Sequence, residues 1–300
     1  MDWPVIDQIF KKLNKKITDE SAEDLGLLVS QANKLVPSYG AIILFGTNRL
    51  RIFPDLIIKC VRFLGLNKTN VLDHVEIISY PILALNEILN FVRKNTRMGA
   101  EFSSLERVDI PEYPQVAVRE IIINALLHAD YAVKGAFITV MIYDDRLEVT
   151  NPGGVPIGMT LERALAGSSR VRNRVIARVF REIGLSEQWG SGLQRIIDAC
   201  VQRGLKKPLF EDFGTEFKVT LYSTYQHELV IDKAQEKFIK HIRMNDGKIS
   251  TKKAAAFWRI STRNARNKLK KFVESGVVKH LGTSPKDPRG VYVLSARFLK

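Results

Sequence analysis

The chain has 300 residues, and 45% of them are hydrophobic. This content argues against an intrinsically disordered protein. A chain of this length has room for two or three domains with sizeable cores. The formal net charge is +14 at pH 7. So basic a balance favours a polyanion as partner.

The sequence contains no segment typical of membrane insertion or export. No run approaches the roughly 18 uninterrupted apolar residues of a spanning helix, and the first residues, MDWPVIDQIFKKL, have neither a signal-peptide core nor a cleavage site. We therefore expect a soluble cytoplasmic protein without a membrane partner. Cys60 and Cys200 lie in apolar segments without metal-ligand spacing, so we expect free core thiols.

The first 65 residues predict helices followed by two buried strands. Residues 1–30 have the pattern of one or two amphipathic helices, and AIILFG at 41–46 predicts a short strand closed by glycine. LIIKCVRFLG at 56–65 predicts a second strand. Basic side chains in and near this second strand are either DNA contacts or ordinary solvated charges: Arg49, Arg51, Lys59 and Arg62.

A short strand and then a helix from about Pro81 are predicted within residues 75–97. Proline in the first turn and basic residues in the last turn agree with the preferences of helix ends. The next segment, 98–114, is polar, contains two prolines and has no clear period. We expect it to be the connection into the following domain.

A helix predicted from Val116 onward carries polar residues at a regular interval. Glu120, Asn124 and His128 are four residues apart, and each step of four turns by only about 40°, so all three lie along one helix face. The rest of the helix is apolar, so these groups are expected to be partly buried. A carboxylate and a carboxamide one turn apart suit a hydrated Mg²⁺ beside a phosphate, with the carboxylate orienting or deprotonating water. A solvated or capped polar face is the alternative.

Two apolar segments then predict a hairpin that leads into a glycine loop. FITVMIY at 137–143 and LEVTN at 147–151 flank a tight turn. The hairpin is expected to form the floor of a sheet against which the preceding helix packs. The chain continues into Asn151-Pro152-Gly153-Gly154.

Residues 157–171 either cover a ligand or form a mobile surface loop. In the first case Ser168, Ser169 and Arg170 would contact phosphate. An amphipathic helix is predicted over 172–185.

Gly190-Ser191-Gly192 directly precedes a further helix that is predicted to run to about Arg203. Glycines at this position allow backbone N–H groups to approach a phosphate, and a helix N-terminus stabilises an anion. A tight turn without a ligand is the alternative.

Three motifs in this order resemble those of the GHKL ATPase superfamily: Glu120-x-x-x-Asn124, Asn151-Pro152-Gly153-Gly154 and Trp189-Gly190-Ser191-Gly192-Leu193. More narrowly, they resemble the histidine-kinase-type ATPase domain of transcriptional regulators labelled RecG-like. The resemblance implies ATP and Mg²⁺ as cofactors, Glu120 as catalytic residue and Asn124 as metal ligand. It implies nucleotide contacts at Asn124, His128, Thr150, Asn151, Gly153, Gly154, Gly190, Ser191 and Gly192.

One position of this pattern is changed. ATPases of the superfamily have Asp-x-Gly-x-Gly in the loop after the hairpin, and its Asp accepts a hydrogen bond from the adenine amino group. Here the register reads Thr150-Asn151-Pro152-Gly153-Gly154, without the Asp. A Thr or Asn oxygen can accept that bond, but a neutral acceptor is weaker than a carboxylate by about 1 kcal/mol. The sequence has no Gly-Lys-Thr phosphate loop and no helicase motor pair.

The segment from Pro37 to Gly46, followed by Phe53-Pro54, resembles the closing half of an AlbA-type, Schlafen-related domain. In the regulators with the RecG-like label, such a domain usually precedes the ATPase-like domain, and a winged helix often follows. The opening half has no counterpart here, so we expect it to lie upstream of Met1 or to be missing from a short form.

The excess of positive charge is concentrated in the last quarter of the chain. Residues 230–300 contain 18 Lys and Arg against 5 Asp and Glu, whereas the first 229 residues contain 28 against 27. This asymmetry indicates a polyanion-binding module joined to a nearly neutral body.

The basic module is predicted to contain three helices and a hairpin. The first helix spans 233–244, Ser250 or Thr251 caps the second, and Ser261 caps a third that runs to Ser275. Strands at 277–281 and 291–294 complete a pattern that resembles a winged helix-turn-helix, in which the third helix enters the major groove. The predicted DNA contacts are Arg263, Arg266, Asn267 and Lys270 on this helix, and Lys286 and Arg289 at the hairpin tip. A basic docking domain that does not read DNA is the alternative.

These expectations give an α/β (α+β) protein in three parts. Residues 1–98 form a partial Schlafen AlbA-type domain, 99–225 a GHKL-like α/β sandwich and 229–300 a winged helix-turn-helix. The expected function is a DNA-binding transcriptional regulator with an ATP-binding module, acting as a homodimer on double-stranded DNA with a nucleotide effector. Two alternatives stay open: an active Mg²⁺-dependent ATPase acting on DNA, and a degenerate ATPase fold that serves only as a dimerisation platform.

Overall fold

The computed structural model describes residues 1–11, 13–103, 106–186, 190–223, 233–274, 277–282 and 290–294. The chain divides into two compact units. The first comprises residues 1–62, 71–142 and 146–224, and the second comprises 63–70, 143–145 and 225–300. Across the described ranges, no helix is both long and apolar enough to cross a membrane.

Short helices and one small hairpin make up the N-terminal part of the first unit. In chain order these are α1 (Trp3–Lys11), α2 (Asp19–Asp24), β1 (Leu28–Gln31), β2 (Lys34–Pro37), α3 (Tyr39–Phe45) and α4 (Arg49–Ile52). β1 and β2 pair antiparallel.

The strand predicted at 41–46 is wrong, because this stretch belongs to α3. Ser38 caps the helix by accepting a hydrogen bond from the backbone N–H of Ala41 at 3.2 Å. The same hydroxyl donates to the carbonyl of Gly26 at 2.7 Å. A short apolar run is equally compatible with a buried helix and a buried strand, and the capping serine selects the helix.

A six-stranded mixed sheet supports the first unit. Its strands are β3 (Ile58–Leu64), β4 (Asn70–Ile77), β7 (Ile138–Ile142), β8 (Arg146–Pro152), β9 (Leu209–Asp212) and β10 (Glu216–Tyr222). They lie in the spatial order β4, β3, β7, β8, β10, β9. β3 and β7 are parallel, whereas β7–β8, β8–β10 and β10–β9 are antiparallel. Strands of the predicted N-terminal part and of the predicted ATPase-like part therefore share one sheet.

Residues 98–111, which we predicted only as a connection without a clear period, form a hairpin. β5 (Met98–Ser103) and β6 (Glu106–Pro111) pair antiparallel from Met98 opposite Pro111 to Ser103 opposite Glu106. Pro111 is at the end of its strand, where a missing N–H does not interrupt the ladder. Backbone pairing of two short polar strands needs no apolar period, so the sequence pattern did not predict it.

The longer helices of this unit are α5 (Pro81–Asn95), α6 (Gln115–His128), α8 (Arg174–Glu182) and α9 (Gly192–Gln202), and the short α7 covers Leu161–Leu165. α6 packs against α5, α9 and β8. Its predicted apolar face is confirmed, because Val118, Ile121, Ile122, Ala125 and Leu126 are buried. Each such large side chain removed from water contributes about 1.5–3 kcal/mol. Cys60 and Cys200 are buried free thiols, as predicted.

In the C-terminal stretch of the second unit, from residue 225 onward, the described residues form three helices and three strands. These are α10 (Lys233–Arg243), β11 (Lys248–Ser250), α11 (Thr251–Trp258), α12 (Thr262–Glu274), β12 (Val278–Leu281) and β13 (Val291–Leu294). β13 lies between β11 and β12 and is antiparallel to both. The unit has its own core, which includes Phe238, Ile242, Leu269, Phe272 and Tyr292.

The capping serines predicted for this unit are confirmed. Ser250 accepts from the backbone N–H of Lys253 at 3.3 Å, and Ser261 accepts from that of Asn264 at 3.2 Å. Each cap satisfies one of the N–H groups that an α-helix leaves unpaired in its first turn.

Candidate functional site

One cavity of the first unit brings together most of the predicted site residues. Its volume is about 160 Å³, whereas one water requires roughly 10–15 Å³, so a ligand of many atoms can be accommodated. α6, α9, the ends of β8 and β10, and segment 155–171 enclose it. The predicted residues that line it are Glu120, Asn124, His128, Asn151, Gly154, Ser168, Ser169, Arg170, Gly190, Ser191 and Gly192.

The floor of the cavity is apolar. Val149 of β8 and Phe217 and Val219 of β10 line it from the sheet, and Ile121 lines it from α6. Apolar surface with a few convergent polar groups is the usual composition of a small-molecule site.

The polar residues of α6 form a connected group at one end of the cavity. The Asn124 amide nitrogen donates to Glu120 Oε1 at 3.2 Å, and an Arg195 guanidinium nitrogen donates to Glu120 Oε2 at 2.9 Å. Only 9% of Glu120 is exposed. Both carboxylate oxygens therefore have protein partners, which a buried carboxylate requires.

The N-terminus of α9 lies directly against this carboxylate. A Cβ atom added to Gly192 would come within 2.3 Å of Glu120 Oε1 and 3.2 Å of the Asn124 amide nitrogen. Ser191 is the N-cap residue, but its side chain makes no capping hydrogen bond. Glycine at 192 is therefore the residue that allows the two helices to approach this closely.

Gly190 also has a positional requirement. Its φ is +66°, and an added Cβ would lie 2.3 Å from the carbonyl oxygen of Gly167. The glycine thus lets the segment before α9 pass close to segment 155–171.

At the other end of the cavity, Asn151 lies in the last residues of β8, opposite Phe217 of β10, with its side chain fixed. Its amide nitrogen donates to the carbonyls of Pro152 at 3.1 Å and Gly153 at 3.3 Å, and only 4% of the residue is exposed. Because both N–H bonds stay within the loop, the amide oxygen is the atom that remains for a ligand.

Two predicted nucleotide contacts do not line the cavity. Thr150 precedes Asn151 in β8, and alternation along a strand directs its side chain to the opposite face of the sheet. Gly153 instead donates its backbone N–H to the carbonyl of Thr215 at 2.7 Å. Neither residue therefore contributes to the lining of the cavity, although the neighbouring Asn151 and Gly154 do.

His128 lines the cavity one helical turn beyond the connected polar group. Its Nδ1 is buried and has no hydrogen-bond partner among the described residues. Burial, and to a lesser degree the nearby Arg172 guanidinium, lowers the pKa of His128 to about 4. The imidazole is therefore neutral at physiological pH.

Arg172 and Asn173, which the sequence did not single out, join the end of α6 to the glycine loop. Arg172 donates to the carbonyls of His128 and, at 2.9 Å, Gly154. The Asn173 amide donates to the carbonyls of Leu127 at 2.9 Å and Ala129 at 2.8 Å. Asn173 is the N-cap residue of α8 but does not cap that helix, so its amide is available for these bonds.

Arg195 was missed as well, although the sequence contains a signal for it. It is the fourth residue of α9, close to a helix end where the backbone dipole disfavours a cation. An arginine at such a position is stabilised by a nearby carboxylate, and Glu120 is that carboxylate.

Segment 155–171 covers one side of the cavity with Ser168, Ser169 and Arg170. The guanidinium of Arg170 donates to the carbonyl of Ile157, so this arginine also ties the two ends of the segment together.

The donors of the cavity fit a magnesium-bound polyphosphate. Mg²⁺ usually keeps several waters and takes one or two protein oxygens together with phosphate oxygens. Asn124 offers a hard oxygen, and Glu120 can hydrogen-bond to coordinated water. Among the described residues, no group of three or more His, Cys, Asp or Glu side chains could hold a metal.

The basic residues of the N-terminal part make contacts within the protein. Arg49 lies 4.2 Å from the ring centroid of Tyr80, and Lys59 pairs with Glu76 at 3.3 Å. An Arg62 guanidinium nitrogen is 3.5 Å from the carbonyl oxygen of Ile142. These contacts give the three side chains a structural role.

In the second unit, α12 has one buried and one basic face. Ala265, Leu269 and Phe272 are buried. Of the predicted DNA contacts, Arg263, Asn267 and Lys270 are exposed and Arg266 is half-buried. Lys286, Arg289 and also Trp189 of the third motif lie outside the described residues.

Comparisons with known proteins locate a family resemblance in the first unit. Residues 135–221 match the model of a family described as "Putative ATP-dependent DNA helicase recG C-terminal". The match includes Gly154 and α9 but begins after Glu120 and Asn124 of α6. No curated protein matches this sequence at a significant level.

The fold is also similar to a crystal structure of a protein from Corynebacterium diphtheriae. The TM-score is 0.60 at 20% sequence identity, and the similarity covers 99% of this chain and 61% of that protein. The chain thus spans less than two thirds of the length of that protein. Together, the comparisons show an α+β fold that contains a stretch similar to a RecG-like C-terminal, ATPase-type domain.

Proposed function

We propose that the protein is a DNA-binding transcriptional regulator whose first unit binds an adenine nucleotide with Mg²⁺. The observation that supports nucleotide binding is the composition of the cavity. Glu120 and Asn124 of α6, Gly154 after β8 and Gly192 of α9 come from three segments of the chain and line one space. The similarity of residues 135–221 to an ATPase-type domain agrees with this proposal.

The distribution of polar groups suggests how a nucleotide is oriented. Glu120 and Asn124 adjoin the N-terminus of α9, whereas His128 is joined to the Gly154 loop through Arg172. Eight residues at 1.5 Å per residue separate Glu120 from His128 by roughly 12 Å along the helix. A nucleoside polyphosphate likewise has a charged end and a base end. In the proposal, the phosphates lie near Gly192 and the base near Asn151 and His128.

Asn151 is the proposed acceptor for the adenine amino group. Its amide nitrogen is held by two loop carbonyls, so its oxygen takes the role that an aspartate has in the ATPases described above. The neutral His128 is compatible with an uncharged base beside it. The apolar floor of Val149, Phe217 and Val219 supplies a surface for the ring.

Calorimetric titration of the full chain with ATP and Mg²⁺ tests nucleotide binding. We expect measurable ATP binding whose affinity decreases when Mg²⁺ is chelated. Asn124→Ala is expected to lose roughly tenfold or more of the Mg²⁺-dependent affinity, the usual scale for loss of a group that supports a metal. Asn90→Ala, on an exposed part of α5, is the matched control. Absence of heat with the wild type at millimolar ATP excludes the proposal.

The second unit is the proposed DNA-binding module. Three helices with a three-stranded sheet, and a basic exposed face on the third helix, are the features of a winged helix-turn-helix. In the proposal α12 enters the major groove, and Arg263, Arg266, Asn267 and Lys270 contact base edges or the phosphates that flank the groove. Lys286 and Arg289 stay predicted contacts of the hairpin tip. Homodimerisation also stays a prediction, which light scattering of the full chain would test.

A second candidate function is Mg²⁺-dependent ATP hydrolysis, favoured by the position of Glu120 beside the proposed phosphate end. In this case wild-type protein releases phosphate from ATP, and Glu120→Ala abolishes release while nucleotide binding survives. Phosphate release no faster than in buffer would contradict hydrolysis without affecting the binding proposal.

A further inference from the structure

The ion pair between Glu120 and Arg195 occupies the end of the cavity at which the phosphates are proposed to bind. The two charged groups are 2.9 Å apart, with 11% of the Glu120 side chain and 33% of the Arg195 side chain exposed. Of the described residues that line the cavity, Glu120 is the one carboxylate, and Arg170, Arg181 and Arg195 are the cations.

The Glu120 carboxylate also lies where an anion is favourable. Oε1 is in close contact with Gly192, the first residue of α9, and the N-cap side chain of Ser191 does not cap the helix. The unpaired N–H groups and the dipole of a helix N-terminus stabilise negative charge. With Arg195 on its other oxygen, the carboxylate has the two kinds of partner that proteins use to bind phosphate.

We propose that Glu120 is an internal substitute for ligand phosphate and that Arg195 is a phosphate-binding residue. A polyphosphate ligand exchanges with Glu120 as the partner of Arg195. The proposal rests on the nucleotide-binding function above and adds to it a ligand contact and a competition. In the ligand-free protein Glu120 is the anion that pairs with the half-buried Arg195 guanidinium.

The exchange has a direct physical basis. A phosphate group presents several charged oxygens to a guanidinium and can accept two parallel hydrogen bonds. Glu120 does not depend on Arg195 alone. In this structure the Asn124 amide nitrogen also donates to its Oε1 at 3.2 Å, and this partner stays next to the carboxylate after the exchange. Without the exchange, a phosphate near Gly192 would meet an unmoved carboxylate of the same charge, which is unfavourable.

Removal of the competitor should therefore strengthen binding. We expect Glu120→Gln to bind ATP and inorganic tripolyphosphate roughly two- to fivefold more tightly than the wild type, the range expected for release of a partly exposed ion pair. Adenosine, which lacks phosphate, should bind the two proteins equally. Calorimetry with all three ligands measures these ratios.

Glu120→Asp separates competition from simple relief of charge repulsion. Aspartate keeps the negative charge but is shorter by one methylene, so it withdraws from Arg195. Under the proposal it also tightens ATP binding. If only the charge of Glu120 mattered, Glu120→Asp would bind ATP as the wild type does, and that result would overturn the proposal. This variant also provides the test if Glu120→Gln does not fold.

The role of Arg195 is tested in the Glu120→Gln background, where no unpaired carboxylate complicates the comparison. Adding Arg195→Gln should weaken ATP and tripolyphosphate binding by about tenfold, since a charge-assisted hydrogen bond is lost, and should leave adenosine binding unchanged. Equal ATP affinity of the single and double variants would overturn the assignment of Arg195.

A matched ion pair in the same unit serves as control. Lys218 and Glu211 are 2.7 Å apart on neighbouring strands, and neither lines the cavity. Glu211→Gln should leave all three affinities unchanged. If neither the wild type nor any variant binds ATP, the proposed function fails together with this inference. If ATP binds and the Glu120 variants do not differ from the wild type, only this inference fails.

Discussion

At the scale of single residues, burial of His128 makes the free energy of unfolding depend on pH. Histidine ordinarily titrates near 6.5, and in the folded protein its pKa is lowered to about 4. Between these values the unfolded chain binds a proton that the folded chain does not bind. The stability that results is fully present above pH 6.5 and is lost as the pH falls towards 4, by on the order of 3 kcal/mol at most.

Urea unfolding followed by circular dichroism tests this prediction. The free energy of unfolding of the wild type should fall more steeply between pH 6.5 and pH 4 than that of His128→Gln, because the variant lacks the titrating imidazole. Parallel curves for the two proteins would show that His128 does not contribute to the pH dependence.

Residue spacing predicted one half of the cavity and could not predict the other half. Glu120, Asn124 and His128 share a helix face because a step of four residues nearly completes a turn, so the sequence alone locates them together. Arg195 is 75 positions away from Glu120. No local period relates the two, and only packing of α6 on α9 makes them partners.

At the scale of elements, the end of α6 depends on a side chain from another helix. The Asn173 amide satisfies the carbonyls of Leu127 and Ala129, which would otherwise lack partners where the helix ends. We expect Asn173→Ala to lower the free energy of unfolding by about 1–3 kcal/mol. Thermal and denaturant unfolding measure the change.

Asn90→Ala is a suitable comparison for that variant, because Asn90 is exposed on α5 and its amide oxygen accepts one long bond of 3.4 Å from Arg93. It should change the free energy of unfolding by less than about 0.5 kcal/mol. Equal destabilisation by the two substitutions would argue against a special role for Asn173 at the end of α6.

Prediction of elements from the sequence succeeded where an apolar pattern extended over many residues and failed where the pattern was short or missing. α6, with apolar residues over more than three turns, and the β7–β8 hairpin formed as predicted. The stretch 41–46 contained too few residues to distinguish a helix from a strand, and the cap at Ser38 decided the outcome. β5 and β6 were missed because their pairing depends on backbone bonds rather than on an apolar pattern.

At the scale of the whole molecule, the distribution of charge gives the proposed DNA binding a measurable signature. Residues 230–300 contain 18 basic against 5 acidic residues. Binding to duplex DNA should therefore weaken steeply with salt, as contacts with phosphates release counterions. We expect the slope of log affinity against log salt to fall by about 0.9 for each phosphate contact that is removed from α12 by Arg263→Ala or Lys270→Ala.

Fluorescence anisotropy with a labelled duplex measures this slope. Lys94→Ala provides a control of equal charge change in the first unit, where Lys94 pairs with Asp73 at 3.0 Å, and it should leave the slope unchanged. An affinity that is flat between low and moderate salt would contradict DNA binding through the basic module.

The six-stranded sheet determines how short a functional piece of this chain can be. β3 pairs with β7 across about 80 positions of sequence, for example Ile58 with Ile138. α6 packs against β8 but precedes residues 135–221, the range that matches the family model. A fragment cut to residues 135–221 would keep β7, β8 and β10 but would lose α6, the helix that packs on β8. Such a fragment would expose apolar surface and an unpaired edge of β7, and aggregation is the expected result. During synthesis the cavity can form only after the chain has extended through β10, because Phe217 and Val219 of that strand are part of its lining.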